Sequence, residues 1–179
     1  MSLDIRIATP DDASAACDIL RRSITECCVA DHQNDATVLA AWLGNKTPDM
    51  VGSWFQSGTN FSIVGAEAGQ LLGVALLTRA GKVALCYLAP AARRRGIGTA
   101  LMLRLEEQAR LWSIKTLQLH STADAEAFFA ARGYVASGRV RSPYGVDTVF
   151  LWKELDASAA AAAAADPKRK RFCKCNGDS

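Results

Sequence analysis

The sequence predicts an α/β (α+β) fold: a mixed central sheet of about six to seven strands with helices on both faces. Three observations predict it. Apolar residues recur at helical spacing through the first third of the chain and then switch to strand-like runs from Asn60 onward, with helices interspersed later. The run VALCYLAP is apolar at successive positions, as a central strand covered on both faces requires. The 179 residues are half apolar and 22% charged, an ordinary balance for one globular domain.

The elements follow in order. DIRIATP reads as a strand ending at Pro10, which suits the first turn of a helix capped by Thr9. PDDASAACDILRRSI then spaces Ala13, Ala16, Cys17, Leu20 and Ile24 helically, with Asp11 and Asp12 in the favourable first turn. A second helix is expected from Ala36 to Leu43, closed by Gly44. A third is expected from the Thr47-Pro48 cap toward Phe55. NFSIVGAE and QLLGVALLT read as a hairpin about an Ala-Gly turn, and RAGK turns into VALCYLAP. Thr99 to Trp112 is helical, KTLQLHS a short strand, and ADAEAFFAAR a helix ended by Gly133. YVASGRVR and VDTVFLWKE close the domain around SPYG.

Residues 157–179 differ in kind, with seven consecutive alanines, then DPKRKR and FCKCNGDS. They are expected to form an Ala-rich, basic extension to a domain spanning residues 1–156. Net charge is +3, and the tail from residue 166 onward carries all of it, because the rest has as many basic as acidic side chains. A short basic run could touch nucleic acid or anionic lipid, but a neutral domain argues against a nucleic-acid partner. The six cysteines lack the spacing of a secreted framework, and Cys173 and Cys175 form only C-x-C, so no metal is expected. MSLDIRIATP does not read as a signal peptide and apolar stretches are too short to span a membrane, so a cytoplasmic location is expected.

The chemistry concentrates where a buried strand hands over to a helix, at CYLAPAARRRGIGTALM. Amides at a helix start have no partners within the helix and carry its positive end, and glycines let an anion approach them. Arg93, Arg94 and Arg95 add charge there, although taken alone the stretch also fits a helix start with a solvated basic turn. GxxxxGK[ST] is absent, and RRRGIGTA lacks the G-x-G-x-x-G spacing. Arg93-x-x-Gly96-x-Gly98 resembles the Q/R-x-x-G-x-G/A signature of the GNAT N-acetyltransferase superfamily, and AEAFFAARGY resembles its second block, A-x-x-F-Y-x-x-x-G-F. The resemblance covers roughly residues 3–155.

The resemblance implies an acetyltransferase that moves an acetyl group from acetyl-CoA to an amino group of a small molecule or peptide by direct transfer. It implies that amides of Arg93, Arg94, Arg95, Gly96, Ile97 and Gly98, followed by Thr99, hold the CoA pyrophosphate. Arg94 or Arg95 would reach the 3′-phosphate. Leu88 would bond the pantetheine arm and, through its N–H, polarise the acetyl carbonyl. The family's frequent tyrosine is replaced by Phe129, and its frequent asparagine by Thr122. Acyl transfer needs a neutral amine, an oxyanion donor and a proton for the leaving thiolate. His120, ending the strand KTLQLHS, is a candidate base or relay, and Tyr87 on the central strand faces either acceptor or core. Glu26, Cys28, Asp31 and His32 form a polar cluster in the segment that shapes the acceptor pocket in this superfamily. Their alternative role is helix capping by Asp31 or Asn34. Cys27-Cys28 also fits core packing, and Trp42, Trp54 and Phe55 are expected in the core. An acyl-cysteine route through Cys28 or Cys86 has no supporting base. A CoA-thioester sensor without turnover is the alternative, for which Phe129 speaks. Such folds often pair through their last two strands, so a homodimer is a further expectation.

Overall fold

The computed structural model describes residues 2–155, so the alanine tract, the basic run, Cys173 and Cys175 lie outside the described residues. Among the described residues, seven strands form two antiparallel sheets. The first, in the order β1-β2-β3-β4, contains β1 (Asp4–Ile7), β2 (Asn60–Glu67), β3 (Gln70–Thr78) and β4 (Val83–Leu88). The second, in the order β5-β7-β6, contains β5 (Thr116–Ser121), β6 (Val135–Arg141) and β7 (Asp147–Glu154). One parallel bridge, Lys82 to Gln118, joins them, with the Gln118 N–H donating to Gly81 O at 2.9 Å. The central sheet of the expectation is therefore split between β4 and β5, and a cleft opens beyond the bridge. β6 is an edge strand, exposed along its whole length.

Strand alternation sends side chains to two cores. On one face, Ile63, Ala75 and Leu77 meet Ile97, Leu101, Met102, Leu105 and Ala109 of α5 (Ile97–Leu111), together with Leu117, Leu119 and Leu151 of the second sheet. On the other face, Val64, Val74, Leu76 and Leu85 pack on Ala16 and Leu20 of α1 (Ala13–Cys27) and Val51 of α4 (Pro48–Gln56). Helices thus cover both faces, as the apolar runs require.

Local caps set the helix starts. Pro10–Asp12 forms a 3-10 turn ahead of α1, and the Asp12 carboxylate accepts from Thr9 N–H at 2.8 Å and from both Arg6 nitrogens at 2.7 and 2.8 Å. These bonds, led by Arg6, hold the Asp12 carboxyl down at about 2. Thr47 Oγ1 caps α4 by accepting from Met50 N–H at 3.3 Å. Asp35 caps α3 (Ala36–Leu43) through Thr37 and Val38 N–H at 2.8 and 3.0 Å.

Three boundaries differ from the expectation. α5 begins at Ile97 rather than Thr99, because Gly96 takes the capping position. The helix expected over ADAEAFFAAR shortens to α6 (Glu126–Ala130). The segment after Cys28, where no helix is expected, contains a short helix, α2 (Val29–His32), ended by left-handed Gln33 and Asn34 at φ 51° and 56°.

Candidate active site

The cleft encloses about 660 Å³ between β4 and β5. Ala89 N–H donates to Leu72 O at 2.8 Å. Antiparallel ladders alternate, so the N–H and C=O of Leu88, one residue earlier, turn away from β3 and toward the gap. Across it stand Leu119, His120, Ser121 and Thr122. The split between the sheets thus leaves backbone donors and acceptors of a central strand open to a ligand.

At the C-terminal end of β4, a 3-10 turn, Pro90–Ala92, leads into the loop before α5. Arg94 and Gly96 take φ of 61° and 81°, a left-handed alternation that makes successive N–H groups converge. The first bond closing the helix is Ala100 N–H to Gly96 O at 3.1 Å. The amides of Ile97, Gly98 and Thr99 therefore have no acceptor within α5 and carry its positive end. A Cβ on Gly98 would lie 3.0 Å from the Phe128 ring, so glycine keeps the passage between α5 and α6 at its widest. Arg132 braces this passage. It donates to Thr99 Oγ1 and to Phe128 O, and its guanidinium sits 3.5 Å over the Phe128 ring.

The three arginines part company. Arg93 reaches across the mouth of the cleft to the Asp124 carboxylate. Arg95 turns to Glu67 on β2, and Arg94 lines the cleft and forms no ion pair among the described residues.

Phe129 is buried against Tyr134 in the core while also touching the cleft, and Phe128 is the ring that faces Gly98. Thr122 lies at the β5 end, where its carbonyl accepts from the Ser121 hydroxyl at 2.8 Å. His120 lines the opposite wall, with its ring 5.4 Å from that of Phe150. Burial, then the charge of Lys82, holds its imidazole below the ordinary range, so it is neutral at neutral pH. Burial pushes the Tyr87 phenol up, opposed by a hydrogen bond with Trp42. The indole N–H can only donate, so the Tyr87 hydroxyl oxygen accepts there and keeps its own hydrogen. Trp42 is buried and stacks on Tyr144 at 5.1 Å, whereas Trp54 and Phe55 are partly exposed against the α1 core. Burial pushes the Cys28 and Cys86 thiols up to about 12. Neither offers a thiolate near neutral pH, so an acyl-cysteine route through either would need a base to take its proton.

Of the expected acceptor cluster, only Cys28 lines the cleft. Glu26 lies on the outer side of α1 and pairs with Arg22 at 3.1 Å. His32 is buried at 1% exposure and does not face the cleft. Its Nδ1 accepts from Asn34 N–H at 3.0 Å, which places the proton on Nε2, 3.1 Å from Ile24 O and 3.2 Å from Thr25 O. The correction has a physical reason: α2 folds back and delivers the imidazole to the last-turn carbonyls of α1, Thr25 O and Ile24 O, the second of which also accepts from Cys28 N–H at 3.3 Å. Asp31 is half-buried and accepts from Ala123 N–H at 2.9 Å, and burial raises its carboxyl. It borders a second groove of about 420 Å³, alongside His32, rather than the cleft. Asp35, not Asp31 or Asn34, does the capping.

Sequence reasoning missed Ser23, Asp124 and Arg132 in the cleft wall. Arg132 had one local signal, its place four residues after Phe128, just beyond the end of α6. Asp124 had none. Among the described residues, no three His, Cys, Asp or Glu side chains are grouped to hold a metal, and no helix is long and apolar enough to cross a membrane.

Comparisons with known proteins agree with this geometry. A GCN5-related N-acetyltransferase from Rhodopseudomonas palustris superposes with a TM-score of 0.77 at 23% identity, over 86% of this chain and 96% of its own. PaiA N-acetyltransferase from Thermoplasma acidophilum, solved with coenzyme A, gives 0.73 at 16% identity, over 86% and 99%. YncA from Salmonella typhimurium, solved with acetyl-CoA, gives 0.66 at 20% identity, over 87% and 95%. No curated protein matches the sequence. The profile of the acetyltransferase (GNAT) domain matches residues 28–155, most of the chain, and the chain belongs to that family.

Proposed function

We propose that the cleft transfers an acetyl group from acetyl-CoA to the amino group of a small molecule or peptide by direct attack. One observation carries most of the weight. The open edge of β4, ending in the unpaired Leu88 N–H, runs directly into the uncommitted amides at the start of α5. A pantetheine arm needs the first and a diphosphate the second. The cleft residues fit coenzyme A on both counts, and PaiA and YncA carry coenzyme A and acetyl-CoA in the same fold. When bound, acetyl-CoA supplies an activated acyl group. The domain of residues 1–156 is proposed to hold all of the activity.

Each wall then has a task. The amides of Ile97, Gly98 and Thr99 hold anionic oxygens, with Arg94 adding charge from the rim. Leu88 N–H donates to the oxygen on which charge develops, the role for which a preorganised backbone donor is suited. Neutral His120 accepts a proton from the incoming ammonium. Phe129 cannot donate a proton, and Tyr87, which lines the cleft and keeps its hydroxyl hydrogen, is the candidate donor to the leaving sulfur.

Thiol release from acetyl-CoA across a panel of amines, with the acetylated amine identified by mass, tests the proposal. Release with at least one amine is expected. His120→Gln should lower kcat/KM by about 10²-fold. For the parent, activity should fall as pH drops through the depressed imidazole value, and that limb should vanish in the variant. Binding of acetyl-CoA with no release for any amine would favour the sensor, the reading that Phe129 supports.

A further inference from the structure

Arg93, Arg94 and Arg95 are consecutive, yet only the outer two are ion-paired among the described residues. Arg95 donates to Glu67, the last residue of β2 on the first sheet. Arg93 donates to Asp124, in the turn after β5 on the second sheet. The loop before α5 is thus tied on both sides of the split. The turn carrying Asp124 is itself anchored, since Ala123 N–H donates to Asp31 Oδ1 at 2.9 Å and Ala125 N–H to Thr122 O at 3.2 Å. The four charged side chains are 24% to 46% exposed, so neither pair fills a core or balances a fully buried charge. What the ties do hold is a backbone conformation. Arg93 is extended at φ −68° and ψ 152°, Arg94 is left-handed at φ 61°, and Gly96 is left-handed at φ 81°. Glycine enters that region freely. Arginine does not, because its Cβ crowds the following carbonyl oxygen there.

We infer, given the donor site proposed above, that Glu67 and Asp124 are positioning residues for coenzyme A. Acting through Arg95 and Arg93, they hold Arg94 in the left-handed region, which keeps the loop amides converged on one anion. The same ties leave the Arg94 guanidinium, which lines the cleft, free for a phosphate oxygen. The outer arginines therefore act on the ligand indirectly and the middle one directly. Glu67 does this from outside the cleft wall, where it cannot touch the ligand. The division has a consequence of definite sign. Removing a carboxylate frees a cation beside the anion site, yet it should weaken binding, because the loop relaxes. If Arg93 and Arg95 held phosphate themselves, the same change would strengthen binding.

The test titrates coenzyme A into the full chain by calorimetry, with circular dichroism melts to establish that each variant is folded. Asp124→Asn and Glu67→Gln should each raise Kd about threefold, and the double variant about tenfold. Asp124→Glu keeps the charge and should bind as the parent does. In an Arg94→Gly background the left-handed region carries no steric cost. There the double change should raise Kd about threefold or less, relative to Arg94→Gly alone. Parent-like or tighter binding by the folded double variant overturns the assignment. So does a loss in Asp124→Glu equal to that in Asp124→Asn, or an undiminished tenfold loss in the Arg94→Gly background. The parent titration separates the two proposals. Binding by the parent with indifferent variants sinks the positioning role and leaves the donor standing, and absence of binding by the parent sinks both.

Discussion

Gly98→Trp is expected to abolish acetyl-CoA binding while leaving the protein folded. A single methyl at this position already meets the Phe128 ring at 3.0 Å, and Arg132 stacked on the far side of the passage prevents that ring from yielding freely. An indole would fill the space between the first turn of α5 and α6 and cover the amides that face the anion. Gly98→Ala is the graded version. Crowding of this kind costs about 1–3 kcal/mol, so its affinity should fall roughly 5- to 150-fold. Circular dichroism and melting establish that each variant is folded, and isothermal titration reads the affinity. An undisturbed titration in folded Gly98→Trp would contradict the assignment of the α5 start as the anion site.

Glu106→Ala is expected to be the most destabilising single change outside the apolar core. Glu106 is 3% exposed on α5, where its Oε1 accepts from Tyr134 O–H at 3.1 Å and from Lys153 Nζ at 2.9 Å. It ties the helix packed on the first sheet to β7 of the second. Burial, then the charge of Glu106, pushes the Tyr134 phenol up, so that hydroxyl remains a donor. Removing the carboxylate leaves a buried hydroxyl and a mostly buried ammonium without their acceptor. Loss of one partner from such a network costs about 3 kcal/mol, which for a chain of this size lowers Tm by roughly 10 °C. Glu106→Gln keeps an acceptor for Tyr134 and should fall between. A Glu106→Ala melt within a degree or two of the parent would show that the two sheets do not depend on this contact.

Local signals were legible and long-range ones were not. The Thr47-Pro48 cap, the Ala68-Gly69 turn and the Ala36–Leu43 helix each follow from neighbouring residues, and each is present. The loop before α5 was legible for the same reason, since glycines and a helix start lie within six residues. The bracing of that loop was not. Arg132 reaches Thr99 from 33 residues away and Asp124 reaches Arg93 from 31, and no periodicity encodes either contact. His32 misled because a histidine among polar neighbours reads as a loop residue. Its partners are main-chain carbonyls of α1, which carry no side-chain signature. The split of the sheet was also hidden. The strands themselves were evident, but their divergence depends on pairing that stops after Lys82 and Gln118.

Amide hydrogen exchange with and without coenzyme A tests the central claim most directly. If the open β4 edge and the α5 start hold the donor, saturating coenzyme A should slow exchange at Leu88 and at Ile97, Gly98 and Thr99. The groove bordered by Asp31, His32 and Arg141 should keep its rates. Protection confined to that groove, with Leu88 and the first turn of α5 unchanged, would contradict the account.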